Sequence, residues 1–179
     1  MSDASDKLCF LVVDDQPLIT GALSMLLTSE NPDSEVFTAN SVDEARKLVH
    51  SHAPEADLLI LDLSMPGVVG TNLLEEFVRE EPSLKILVLS GVTDRESVMN
   101  TLSLGAAGFV PKTLDTDLLL TAIHFVLKGG VYLPSKIIEE SQRRGFFAEA
   151  GEGIAGRMAS APTLTPRQMD VLRELAKGN

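Results

Sequence analysis

The sequence predicts a doubly wound α/β fold built on a five-stranded parallel sheet. Short apolar runs alternate with stretches of helical periodicity from residue 8 to about residue 128. Strand candidates lie at residues 8–13, 35–39, 58–61, 86–89 and 108–110. The first, third and fourth are nearly continuous apolar runs, as strands buried on both faces should be. Five strands alternating with five helices call for a parallel sheet covered on both sides.

Each helix has its own signal. Pro17 suits a first helical turn, and Leu18, Ala22, Leu23 and Leu26 are expected to line the face that packs inward. Ser41 or Asp43 can cap the second helix. Leu73, Leu74, Phe77 and Val78 form the apolar face of the third. The fourth, over residues 95–104, has a sparser face of Val98, Leu102 and Leu104. Such a helix suits either a movable output surface or an ordinary exposed edge. Leu118, Leu119, Ala122, Ile123, Val126 and Leu127 give the fifth helix the most regular stripe, and Gly129-Gly130 stops it.

Composition narrows the class. The chain has 179 residues, enough for one domain and part of another. A formal charge of −11 disfavours a grip on nucleic acid or anionic lipid by the chain as it stands. The single cysteine, Cys9, lies inside the first apolar run and reads as a buried, inert thiol in a reducing compartment. The polar, acidic N-terminus does not read as a signal peptide, and no apolar stretch is long enough to span a membrane. A cytoplasmic location is therefore expected.

The pattern divides the chain into a domain over residues 7–130, a linker over 131–161, and the start of a further domain over 162–179. Residues 135–147 suit a short helix whose apolar side chains would serve a homodimer. Residues 148–161 are rich in Gly, Ala and Ser. Structure resumes where Thr165 caps and Pro166 takes a first helical position, with Val171, Leu172 and Leu175 on one face. One such helix does not make a domain, so an incomplete domain is expected there.

The chemistry lies at strand ends. In an open parallel sheet the strand C-termini emerge along one edge, where such sheets bind ligands. Asp14 and Asp15 follow the first strand, Asp62 the third, Ser90 the fourth and Lys112 the fifth. Oxygen ligands from Asp14, Asp15 and Asp62 suit Mg²⁺, which takes one or two carboxylates together with phosphate and water. An aspartate can act as a nucleophile to form an acyl phosphate. Lys112 would neutralise charge on the phosphoryl oxygens, and Ser90 would donate a hydrogen bond to one. Asp62 is the best acceptor candidate, because it stands alone before a loop containing Pro66, Gly67 and Gly70. Taken singly, Asp14 or Asp15 ahead of Pro17 also reads as a helix start, and Asp62 as a turn residue. Their joint placement at the ends of different strands favours a site.

With these residues in place, the chain resembles a response regulator of two-component signalling. The motifs are Val12-Val13-Asp14-Asp15, residues 62–70 from Asp62 to Gly70, Leu89-Ser90-Gly91, and residues 105–112 ending in Lys112. The resemblance implies a flavodoxin-like receiver fold in which Asp62 accepts phosphate from a sensor histidine kinase. It also implies Mg²⁺ held by Asp14, Asp15, Asp62 and the backbone carbonyl of Ser64. Ser90 and Phe109 match the switch positions: phosphate would draw the Ser90 hydroxyl inward, and Phe109 would turn into the vacated space. Two departures stand out. Thr113 rather than proline follows the lysine, and the aromatic is Phe109, which has no phenol. Residues 164–178 resemble the start of a LuxR-type helix-turn-helix domain, whose recognition helix enters the major groove. That helix is not in this sequence, so DNA would be a partner only through a complete output domain.

Two other readings compete with a phosphorylation switch. A phosphatase of the haloacid dehalogenase type uses a related Asp, Ser/Thr and Lys set but expects Asp-x-Asp on its first strand. An interaction module that works without phosphorylation would not need the intact acidic set. A switch rather than a turnover enzyme is expected. His50, His52 and His124 lack partners at metal-ligand spacing and read as surface histidines, while the methionines read as core filler.

Overall fold

The computed structural model describes residues 7–134. The expected short helix, most of the linker and the helix-turn-helix fragment lie outside the described residues. Ten elements follow in strict alternation: β1 (Cys9–Val13), α1 (Pro17–Glu30), β2 (Glu35–Ala39), α2 (Val42–His52), β3 (Leu58–Asp62), α3 (Asn72–Glu80), β4 (Ile86–Ser90), α4 (Arg95–Ser103), β5 (Gly108–Pro111) and α5 (Thr116–Leu127). The strand order is β2-β1-β3-β4-β5, a doubly wound flavodoxin-like sheet. None of the described helices is long and apolar enough to cross a membrane.

The chain divides into two compact units that meet in sequence between Leu89 and Ser90. In the first, every residue of β1 and β3 is buried, as their unbroken apolar runs require. β2 is an edge strand and keeps only Ala39 fully buried. Ser41 caps α2 by accepting the Glu44 N–H, which decides between the two cap candidates. Leu73, Leu74 and Phe77 are buried along α3. The inward face of α1 differs from expectation: Thr20, Leu23 and Leu27 are buried, whereas Leu18 is 84% exposed and Ala22 is also exposed. That helix carries apolar residues around much of its circumference, so periodicity alone does not select the packed side. His52 also departs from a plain surface histidine. It is half-buried, its ring centroid lies 4.1 Å from that of Phe37, and its Nδ1 lies 3.2 Å from the Leu48 carbonyl.

In the second unit, α4 buries only Val98 and Thr101, and the Thr101 hydroxyl donates to the Ser97 carbonyl. Leu102 and Leu104 remain half-buried. α5 buries Leu119, Ala122, Ile123 and Val126, while Leu118 and Phe125 stay about half exposed. Gly129, with φ 87°, reverses the chain after α5, and the Gly130 N–H returns to the Phe125 carbonyl at 2.9 Å. Tyr132 then runs parallel to Gly108, its carbonyl accepting the Phe109 N–H at 3.0 Å. The methionines split: Met65 is buried, but Met25 is 76% exposed.

Candidate metal centre

The acidic group is assembled by strand register. Val13 pairs with Leu61, so the next residues, Asp14 and Asp62, leave adjacent strands side by side. Adjacent strands lie ~4.8 Å apart, which brings the two carboxylates within reach of one ion. β1 and β3 also flank the point where the strand order reverses, the place where such sheets take ligands. Asp14 and Asp62 are each 1% exposed, and Asp15 is half-buried at the rim. One carboxylate oxygen from each of the three lies within 4.8 Å of the others.

Local hydrogen bonds fix two of these side chains. Asp14 Oδ1 accepts the Gln16 N–H at 3.0 Å, and Asp62 Oδ1 accepts the Ser64 N–H at 2.8 Å. In both, a carboxylate is held by the amide two residues on, which sets the angle at which it leaves its strand. Ser64 is exposed, while buried Met65 anchors the following loop. Gly67 and Gly70 turn that loop with φ of 89° and 58°.

Like charges this close repel one another, and a cation between them offsets that repulsion. The donors are all hard oxygens, a set that suits Mg²⁺ and offers nothing to a soft metal. These residues can therefore hold a divalent cation beside an anionic ligand.

Ser90, Phe109 and Lys112 belong to the second unit. Ser90 ends β4, is 5% exposed, and accepts the Val92 N–H on Oγ at 3.1 Å. Lys112 follows β5, and its N–H donates to the Ser90 carbonyl at 2.9 Å. Phe109 is 1% exposed. Among the described residues no peptide bond is cis.

Sequence reading missed Asn40 and Thr20. The Asn40 Nδ2 donates to the Asp14 carbonyl at 2.7 Å and to Thr20 Oγ1 at 3.1 Å. An Asn just before a helix cap reads as a turn residue, and nothing in the sequence announces its reach back to Asp14.

Comparison with known proteins agrees with this geometry. Residues 10–124 match the family model described as response regulator receiver domain. The glycerol metabolism activator of Pseudomonas putida is 33% identical over 169 residues, covering 94% of this chain and 75% of that protein. A LuxR family DNA-binding response regulator from Silicibacter pomeroyi superposes with a TM-score of 0.62 at 28% identity, covering 73% of this chain and 98% of that one. CheY, in a CheX-CheY-BeF3-Mg complex from Borrelia burgdorferi, gives 0.62 at 27% identity over 66% of this chain and 88% of its own.

Proposed function

The chain belongs to the response regulator receiver domain family, and on that premise we propose that Asp62 is the residue it phosphorylates. The general role of the family is a phosphorylation switch in two-component signalling, a signalling role rather than a turnover one. The observation that carries the assignment is the convergence of Asp14, Asp15 and Asp62 at the ends of β1 and β3.

In the proposed reaction, an Asp62 carboxylate oxygen attacks the phosphorus of a phosphohistidine on a sensor kinase. A P–O bond forms, the P–N bond breaks, and the electron pair leaves with the imidazole, which takes up a proton. Asp14, Asp15, Asp62 and the Ser64 carbonyl would hold Mg²⁺, which supplies charge neutralisation between the incoming phosphoryl group and the carboxylates. The Ser64 N–H keeps the Asp62 carboxylate in one plane. Lys112 would pair with a phosphoryl oxygen, and Ser90, whose Oγ already accepts the Val92 N–H, would turn its own O–H toward another. Phe109 would hold the inward position once Ser90 is drawn in, biasing the surface formed by α4, β5 and α5 between two states.

Residues 7–130 form the receiver in this reading, 131–161 a linker, and 162–179 the start of a LuxR-type helix-turn-helix output. The likeness to a LuxR family DNA-binding regulator supports that output. So does the alignment with the glycerol metabolism activator, which extends beyond the receiver match. Transcriptional control would then pass through the recognition helix of a complete output domain.

Intact mass after incubation with Mg²⁺ and a small acyl phosphate tests the assignment. Wild type should gain one phosphoryl group and Asp62→Asn none. Stoichiometric labelling of Asp62→Asn would move the acceptor elsewhere.

A further inference from the structure

We infer that Asn40 is a positioning residue for the metal centre, acting through the Asp14 peptide; the inference rests on the metal reading of the acidic site. The β1–β2 ladder runs from Glu35 N–H on the Leu8 carbonyl to Asp14 N–H on the Ala39 carbonyl. Continued by its two-residue step, it would offer the N–H of residue 41 to the Asp14 carbonyl. β2 instead ends at Ala39, and Ser41 turns the chain into α2 as its cap. The donor that meets the Asp14 carbonyl, at 2.7 Å, is the side-chain amide of Asn40. A side chain takes up the ladder where the backbone leaves it.

That substitution matters because of what the carbonyl belongs to. It is part of the peptide joining Asp14 to Asp15, so its direction sets where both carboxylates leave the chain. The same Nδ2 donates to Thr20 Oγ1 at 3.1 Å, and Thr20 Oγ1 in turn donates to the Pro17 carbonyl at 3.2 Å. Asn40 thus grips both ends of the short loop that carries the two acids: the end of β1 and the first turn of α1. Its own backbone is fixed, since its N–H donates to Glu44 Oε2 at 2.8 Å. Thr20 is buried, and Asn40 is half-buried. A carbonyl is only an acceptor, so Asp at position 40 would set a carboxylate oxygen against it and add an anion beside three others.

Groups that orient metal ligands from behind cost about 10–100-fold in metal affinity when removed. Asn40→Ala should therefore weaken Mg²⁺ binding by about tenfold or more, read by calorimetric titration of the whole chain with MgCl₂ alone. Ser41→Ala is the control, because it removes the adjacent helix cap without touching the Asp14 carbonyl. It should lower stability and leave Mg²⁺ affinity where it was. Thr20→Val tests the same clamp from its other anchor with little change of shape, and should also weaken Mg²⁺ binding if Asn40→Ala does not fold. Wild-type affinity in both folded Asn40→Ala and Thr20→Val would overturn the inference. So would an equal loss in Ser41→Ala, which would make the effect one of stability. Absence of Mg²⁺ binding by wild type would overturn the metal reading itself, and the inference with it.

Discussion

Lys112 follows a four-residue strand, and its backbone N–H is committed to the Ser90 carbonyl. Its backbone position is therefore set by the main chain. Lys112→Ala should slow labelling by a small acyl phosphate on the order of a hundredfold, the usual cost of losing one charge-stabilising donor. Mg²⁺ titration should be unchanged, and lost metal binding would contradict the role. A different residue pair gives a pH signature. Arg46 reaches from α2 to Glu76 on α3 through two short contacts, Nε to Oε1 at 2.7 Å and Nη2 to Oε2 at 3.0 Å. The hydrogen bond from Arg46 holds the Glu76 carboxyl below its ordinary value. A folded value lower than the unfolded one contributes stability above the unfolded value and loses it as pH falls through the folded one. The stability gap between wild type and Glu76→Gln, read from urea midpoints, should be present at neutral pH and close on acidification. It should be small, because both side chains meet water. A gap that widens in acid would refute the pairing. Burial likewise pushes the Cys9 thiol up, in line with the inert thiol expected from its sequence position.

Elements are held at their ends. At the start of α2 the Ser41 hydroxyl accepts the Glu44 N–H, while Glu44 returns its carboxylate to the Asn40 N–H. Ser41→Ala should cost about 1 kcal/mol of unfolding free energy, measured by denaturant titration. At the end of α5, Gly129 occupies a left-handed conformation that a side chain resists, so Gly129→Ala should cost about 1–2 kcal/mol in the same assay. No loss there would mean that the turn relaxes. These ends were readable because caps and stops depend on one or two local residues. Helix faces were less so. The stripe on α3 held because polar residues border it, but α1 rotated its packed side to Thr20, Leu23 and Leu27. Leu118, placed inward from sequence, lies outward on α5 for the same reason: its neighbours are apolar on several sides.

At the scale of the whole molecule, ion binding and folding are linked. A ligand that binds only the folded state adds about 2.7 kcal/mol at a hundred times its dissociation constant. Mg²⁺ should therefore raise the thermal midpoint of wild type, and a chelator should reverse the rise. Asp14→Ala should respond far less, since it removes one of the three converging carboxylates. An equal shift in that variant would point to screening of the net charge of −11 instead.

The alternation of strands and helices was legible in the sequence because burial on both faces leaves unbroken apolar runs, and turns leave Pro, Gly and capping residues. The candidate site was legible in part, since a parallel sheet puts every strand C-terminus on one edge, and Asp14, Asp15 and Asp62 stand at two of them. What only the tertiary structure decided is register and reach. Pairing Val13 with Leu61 sets Asp14 beside Asp62, and a helix turning away after Ala39 brings the Asn40 amide onto the Asp14 carbonyl. Both are contacts between residues far apart in the chain, and local pattern holds no record of which distant atoms will meet.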